Sequence, residues 1–215
     1  MNITQVMDCQ PSQHVYQGWI YAYGMYTSRW LIGRHLNSAW SQAVILAKRK
    51  CEAVIDRFGE IIARHLETVL LEDEDYIITH VPTDGDNELY LFANYGLCPT
   101  EMLAGAIYGS LKSRNHVLLA GLLAQVRQKE RKQHQCRYES ERFGNVKGLY
   151  AVTNPGLVKD KNIIIVDDVI TSGATMRECS QELKKAGARN VMGIALARTE
   201  KIGSDCLDEA GGKVA

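Results

Sequence analysis

Residues 162–176, NIIIVDDVITSGATM, constrain the fold more than any other stretch of this chain. An unbroken run of branched aliphatic residues, with no polar alternation, is the pattern of a strand buried on both faces. After it, Met176, Cys179, Leu183 and Ala186 recur at spacings of three and four, which marks a helix, and Gly187 can supply the left-handed residue that ends one. VMGIALA follows as a second strand. Strand, helix and strand at this spacing imply a right-handed crossover and a parallel pairing. The expected fold class is therefore α/β, with a mostly parallel central sheet flanked by helices.

The rest of the chain supplies further elements. Met1 to Asn37 are rich in aromatics with hints of period-two alternation, which suits short strands or a small lid. From Trp40 to Leu66 the apolar positions recur at helical spacing, which predicts one helix bent at Gly59. DYIITHVPT reads as a buried strand over Tyr76 to Val81, stopped by Pro82 and a polar turn. Thr100 reads as the N-cap of a helix over EMLAGAIYGSL, HVLLAGLL as one strand, and GLYAV as another. Between them Arg127 to Asn145 is polar throughout, the pattern of a long connecting loop or lid. The expected organisation is an N-terminal hood over residues 1–72, a core over 73–200 and a tail over 201–215 that frays.

Composition limits the function classes. Lys plus Arg and Asp plus Glu number 25 each, so no global field draws the protein onto nucleic acid or an acidic membrane, and any anion site is local. The six cysteines never reach C-x-x-C spacing, which argues against a zinc ribbon and a disulfide framework and for a reducing, cytoplasmic setting. No stretch offers the roughly 18 apolar residues of a membrane helix, and the N-terminus has no export pattern, so no membrane partner is expected. His80, His116 and His134 read as structural or solvent-facing, with His80 best placed at a strand end. No metal ligands are read from spacing, since His134 with Cys136 lacks two more donors.

The chemistry concentrates where the buried strand ends. In parallel sheets ligands bind beyond the carboxyl ends of the strands, and Asp167 and Asp168 are expected at that edge. Thr171, Ser172, Gly173, Ala174 and Thr175 would wrap into the helix start, offering backbone N–H groups, hydroxyls and the positive end of a helix dipole to a phosphate. Gly173, without a Cβ, lets the backbone approach the anion. Carboxylates beside a phosphate need another partner, either sugar hydroxyls or magnesium, and a ribose 5-phosphate supplies both halves. Acids and hydroxyls before a helix also occur as plain caps. The complete ordered string is what points to a ligand. A Walker A loop would need Lys where Ala174 stands. A dinucleotide fingerprint would place its acid after the glycines, and too few residues follow Asp168 for a receiver domain.

This stretch resembles the phosphoribosyl pyrophosphate (PRPP) motif of type I phosphoribosyltransferases, and the order of features from Tyr76 to Arg198 is similar to the ComF/GntX-like branch. ERFGNVKGLYAV and ALART are similar to segments flanking the motif in that branch. The resemblance implies a type I phosphoribosyltransferase-like core with a small N-terminal hood or lid. It implies that Asp167 and Asp168 hold the ribose hydroxyls and act in catalysis, and that Thr171 to Thr175 hold the 5-phosphate. Val81, Pro82, Thr83, Asp84 and Gly85 would form the pyrophosphate loop. Arg127, Lys129, Arg131 and Lys132 would belong to a mobile flap that closes over the polyphosphate. The implied co-substrate is PRPP with Mg2+, the acceptor is an unidentified nitrogen nucleophile, and a homodimer is compatible with the resemblance.

One departure stands out. The branch carries a basic segment after its pyrophosphate loop, whereas His80 to Leu111 contains no Lys or Arg and has Asp84, Asp86, Glu88 and Glu101. The cysteine-rich zinc module of many relatives is also absent from this sequence. Two functions follow: transfer of ribose 5-phosphate with release of pyrophosphate, or a non-catalytic PRPP-binding protein with a regulatory or competence (DNA uptake) role. A nucleic-acid contact through the basic flap ranks below both, because aromatics are not interleaved with its charges.

Overall fold

The computed structural model describes residues 14–16, 18–27, 38–82, 97–112, 117–127 and 139–200. In chain order the strands are β1 (His14–Tyr16), β2 (Ile20–Ala22), β3 (Met25–Tyr26), β4 (Tyr76–His80), β5 (Val117–Leu119), β6 (Leu123–Gln125), β7 (Tyr150–Val152), β8 (Asn162–Ile170) and β9 (Asn190–Thr199). The helices are α1 (Ala39–Lys48), α2 (Glu52–Val69), α3 (Pro99–Ser110), α4 (Glu139–Val146), the single turn α5 (Pro155–Val158) and α6 (Ala174–Lys185). Among these residues no helix is long and apolar enough to cross a membrane.

The main sheet runs β1-β2-β9-β8-β4-β5, with β3 continuing the β2 edge along β9. Every pairing is parallel except β1 with β2. The expected α/β class with a mostly parallel, helix-flanked sheet is the one observed. β8 is central, paired from Asn162 to Val166 with β4 and from Asn162 to Ile170 with β9. Its side chains alternate between two cores. Ile164 and Val166 join Ile78, Ile194 and Leu196 under α1, α2 and α3, while Ile163 and Ile165 join Ile77, Leu149 and the α6 residues Met176, Cys179 and Leu183. Ile163 to Val166 are each at most 1% exposed, and burying each such side chain contributes roughly 1.5–3 kcal/mol.

Several local readings are corrected. The helix expected to bend at Gly59 is two helices, and the break lies at residues 49–51. Lys50 takes φ 62°, its N–H donates to the Ala47 carbonyl, and the Cys51 N–H donates to that of Leu46. This is the paired-bond stop that usually carries glycine, and Lys50 in the glycine position hides it from a sequence reading. The same pair of bonds ends α6 at Gly187, φ 96°, as expected. Gly59 instead marks a close helix crossing. A Cβ there would lie 2.7 Å from the Ala106 carbonyl carbon of α3.

HVLLAGLL is two short strands. β5 extends the main sheet, then the chain turns at Ala120 and Gly121 so that β6 pairs antiparallel with β7 in a second, two-stranded sheet. Thr100 is not the cap of α3, which starts at Pro99 after Cys98; its buried hydroxyl donates to the Val81 carbonyl instead, at 3.0 Å. The polar stretch expected to be loop forms α4 at its end. The described part of residues 1–72 does more than cover: β2 and β3 pair with β9, and α1 and α2 build one face of the core.

The Gly59 crossing predicts opposite signs for two substitutions of one kind. Gly59→Ala meets backbone and should lose about 1–2 kcal/mol, the overpacking cost exceeding the helix-propensity gain of about 1 kcal/mol. Gly105→Ala, in α3 with nothing within 4 Å of its Cβ, keeps that gain and should raise the urea midpoint.

Candidate functional site

Parallel pairing aligns the carboxyl ends of β4, β8 and β9, and the acidic pair lies at that edge. Asp167 is paired opposite Ala195 of β9, and β8 continues past both aspartates to Ile170 before the loop begins. The carboxylates thus stand on strand backbone fixed by the β9 ladder. Asp167 Oδ1 accepts the Asp168 N–H at 2.8 Å, and Asp168 Oδ1 accepts the Val169 N–H at 2.5 Å. Each side chain is turned against the backbone of the next residue, which limits its rotamers.

The loop from Thr171 to Gly173 carries the chain into α6. Gly173 is buried, sits at φ 75° and is the N-cap of the helix. This left-handed conformation strains any residue with a Cβ. The Gly173 carbonyl accepts the Arg177 N–H at 2.9 Å, and the first turn of the helix leaves further N–H groups without partners inside it. Ser172 Oγ lies 3.4 Å from the Ala174 N–H, a long and weak contact. The Thr171 hydroxyl meets that of Thr199 at 3.0 Å, tying the loop to the end of β9. Ala174 is buried, and Thr175 is partly exposed in the first turn of α6. The residues expected to receive a phosphorylated sugar thus share one edge, one loop and one helix start.

A residue the sequence reading passed over stands with them. Lys48, in the last turn of α1, puts its ammonium 3.1 Å from Asp168 Oδ2. Burial opposes the charge on Lys48, but Asp168 beside it, with Asp167 and Tyr26, outweighs that cost and holds its pKa above the ordinary lysine value. Its link to Asp168 is long-range, and nothing in the spacing of the sequence announces it. Lys48 is carried there by α1, whose other side chains pack into the core.

Of the pyrophosphate-loop residues, Val81 and Pro82 follow β4, and the Val81 N–H donates to the Val166 carbonyl at 2.9 Å. Thr83, Asp84 and Gly85 lie outside the described residues. So do Lys129, Arg131 and Lys132 of the expected flap. Arg127 donates from Nη2 to the carbonyls of Lys147 and Asn145, at 2.6 and 3.5 Å, the cation meeting the negative end of α4. His80, at the end of β4, is half-buried; burial lowers its pKa, and Glu101 opposes that shift. Cys98 and Glu101, which the sequence separates from His80 by a long stretch, are folded against it.

The raised pKa of Lys48 gives its ion pair a definite pH window. The contribution is fully present below the ordinary lysine value of about 10.4 and is lost as pH rises through the higher folded-state value. Lys48→Met should lose at most about 1 kcal/mol at neutral pH, because the lysine side chain is 42% exposed and solvent screens the pair. The difference between the two proteins in urea titrations should hold below the ordinary lysine pKa and shrink as pH rises past it.

Solved structures with a similar course of chain include a hypoxanthine phosphoribosyltransferase from Staphylococcus aureus, 8% identical over 70% of this chain and 69% of that one, with a TM-score of 0.43. A hypoxanthine-guanine phosphoribosyltransferase from Bacillus anthracis is 14% identical over 69% and 71%, with a TM-score of 0.45. The enzyme from Leishmania tarentolae in complex with GMP is 13% identical over 70% and 67%, with a TM-score of 0.37. No curated protein sequence matches the chain significantly. Residues 101–203, which hold β8, the acidic pair, the Gly173 loop and α6, match the family model of the phosphoribosyl transferase domain.

Proposed function

We propose that this protein is a phosphoribosyltransferase of the type I superfamily, binding PRPP at the carboxyl edge of β8 and transferring its ribose 5-phosphate to a nitrogen acceptor. The observation that carries the reading is the pairing of Asp167 and Asp168 on strand backbone with a Gly173-capped loop entering α6, inside the stretch that matches the transferase domain. The carboxylates accept hydrogen bonds from the ribose hydroxyls. Thr171, Ser172, Gly173, Ala174 and Thr175 receive the 5-phosphate through N–H and hydroxyl donors at the positive end of the helix.

In the reaction the C1–O bond to pyrophosphate breaks, the acceptor nitrogen forms the new bond at C1, and the displaced acceptor proton passes to solvent or to a base. The transition state has oxocarbenium character, so stabilisation is largely electrostatic. Asp167 and Asp168 lie where positive charge develops on the sugar, and Lys48 offsets part of their repulsion of an incoming polyanion. Residues 81–85 are assigned to the pyrophosphate, and Lys129, Arg131 and Lys132 to a flap that excludes water, with Arg127 anchoring its base on α4. The carboxylate oxygens fit magnesium, which prefers oxygen donors; bound with PRPP, the ion would neutralise charge on the leaving pyrophosphate.

The ComF/GntX-like branch is the subgroup this reading favours, on the flanking segments ERFGNVKGLYAV and ALART. Titration calorimetry with PRPP and Mg2+ tests the site. Hydrogen bonds to charged groups are worth about 1.5–3 kcal/mol each, so Asp167→Asn with Asp168→Asn should weaken binding at least about tenfold. Unchanged affinity removes the assignment. Pyrophosphate release with a panel of nucleobases and amines then tests turnover; PRPP binding without release would establish a binding protein instead of a transferase.

A further inference from the structure

His80 ends β4, and Cys98 and Glu101 flank the start of α3, the first as its N-cap and the second three residues on, on the same side of the helix. One donor atom from each, an imidazole nitrogen, the Sγ and a carboxylate oxygen, lies within 4.8 Å of the others, and all three residues are half-buried. Among the described residues the side chains of His80 and Glu101 make no hydrogen bond or ion pair, while Cys98 Sγ meets the Thr100 hydroxyl at 3.2 Å. That hydroxyl also lies 3.0 Å from the Val81 carbonyl as its donor, so toward Cys98 it acts as the acceptor. An imidazole nitrogen, a thiol sulfur and a carboxylate oxygen that converge without hydrogen bonds to one another present a mixed donor set of the kind zinc takes.

We infer that His80, Cys98 and Glu101 form a binding site for a zinc ion, separate from the magnesium expected with PRPP. The donor chemistry selects the metal. Zinc takes nitrogen, sulfur and oxygen ligands together, whereas magnesium and calcium require oxygen. Tetrahedral bonds of 2.0–2.3 Å place ligand atoms about 3.5 Å apart, so closing the cluster requires side-chain shifts of about an ångström. Binding forms a zinc–thiolate bond and releases the Cys98 proton to solvent. The positive end of α3 favours the anionic donors on its first turn.

Three protein ligands leave a fourth position for water or a ligand oxygen, the pattern of an open site. His80 pairs with Val166 across the β4–β8 ladder, one residue before Asp167. The ion would therefore stand beside the acidic pair and supply a divalent charge in the stretch from His80 to Leu111, which has no Lys or Arg.

The test uses the full chain, stripped with chelator and titrated with Co2+ without PRPP or magnesium, so that its outcome is independent of the transferase reading. One equivalent should bind with the visible bands of a tetrahedral site and a near-ultraviolet thiolate-to-cobalt transition, and Zn2+ should displace it. Cys98→Ser should abolish the thiolate transition, and His80→Asn and Glu101→Gln should each weaken binding at least about tenfold, since even supporting residues cost that much. Cys51→Ser and Cys179→Ser should leave the spectrum unchanged. No stoichiometric binding, or a thiolate transition that survives in Cys98→Ser, overturns the proposal. If Cys98→Ser fails to fold, unchanged affinity in both other ligand variants overturns it equally.

Discussion

The structure depends on one strand with no exposed edge or face at its centre. β8 is laddered to β4 on one side and β9 on the other, with a separate helical layer against each face. A strand in that position cannot slip by one residue without turning each isoleucine into the opposite core, so its register is strongly specified. That fixed register places Asp167 and Asp168. Charges are costly to hold near a hydrophobic core unless paired or wet, and the only position on such a strand that allows them is its end, where the covering layers stop. The site therefore follows from the packing: the carboxyl edge is where a buried strand can change from aliphatic to acidic.

Electrostatics at this edge are local. With 25 basic and 25 acidic residues the chain has no net charge to steer a polyanion, and the acidic pair alone would repel one. Opposing charge reaches the edge from the N-terminal third through Lys48, and donors arrive from the start of α6. Each depends on how a helix terminates. α1 stops after Lys48 because Lys50 adopts the left-handed turn, and α6 begins where it does because Gly173 adopts another. Two helix ends thus tune one site, although neither belongs to the strand that bears the carboxylates.

What could be read from the sequence was what local pattern encodes. β8, α6 and β9 announce themselves through an aliphatic run, three-and-four spacing and a terminal glycine, and the acidic pair with its hydroxylated loop was identifiable as a candidate site on those terms. The errors fall where a common signal was replaced or where the cause is distant. Lys50 does the work of a glycine and hides the break between α1 and α2. Gly59, which looked like a hinge, is small because α3 crosses it closely. HVLLAGLL divides between two sheets because its halves find different partners, β4 and β7. Thr100 looks like a cap but spends its hydroxyl on Val81. Lys48 beside Asp168, and Cys98 with Glu101 beside His80, were beyond reach for the same reason: these pairs meet only through tertiary packing.

The two groups of polar side chains on this edge differ in chemical hardness, and that difference separates their tasks. Asp167 and Asp168 offer oxygen donors on rigid strand backbone, suited to hydroxyls or to a hard ion that keeps most of its waters. His80, Cys98 and Glu101 offer nitrogen, sulfur and oxygen at the mouth of the neighbouring strand, suited to a softer ion held directly. Because β4 and β8 are adjacent and parallel, His80 and the aspartates stand at neighbouring levels of one sheet, and the start of α3 brings Cys98 and Glu101 to His80. A polyphosphate lying across that edge would meet a hard site and a soft site in a defined order. The absence of arginine between His80 and Leu111 then becomes a replacement of side-chain charge by metal charge: a guanidinium contributes one positive charge through a flexible stem, whereas a divalent ion contributes two at a point held by strand and helix.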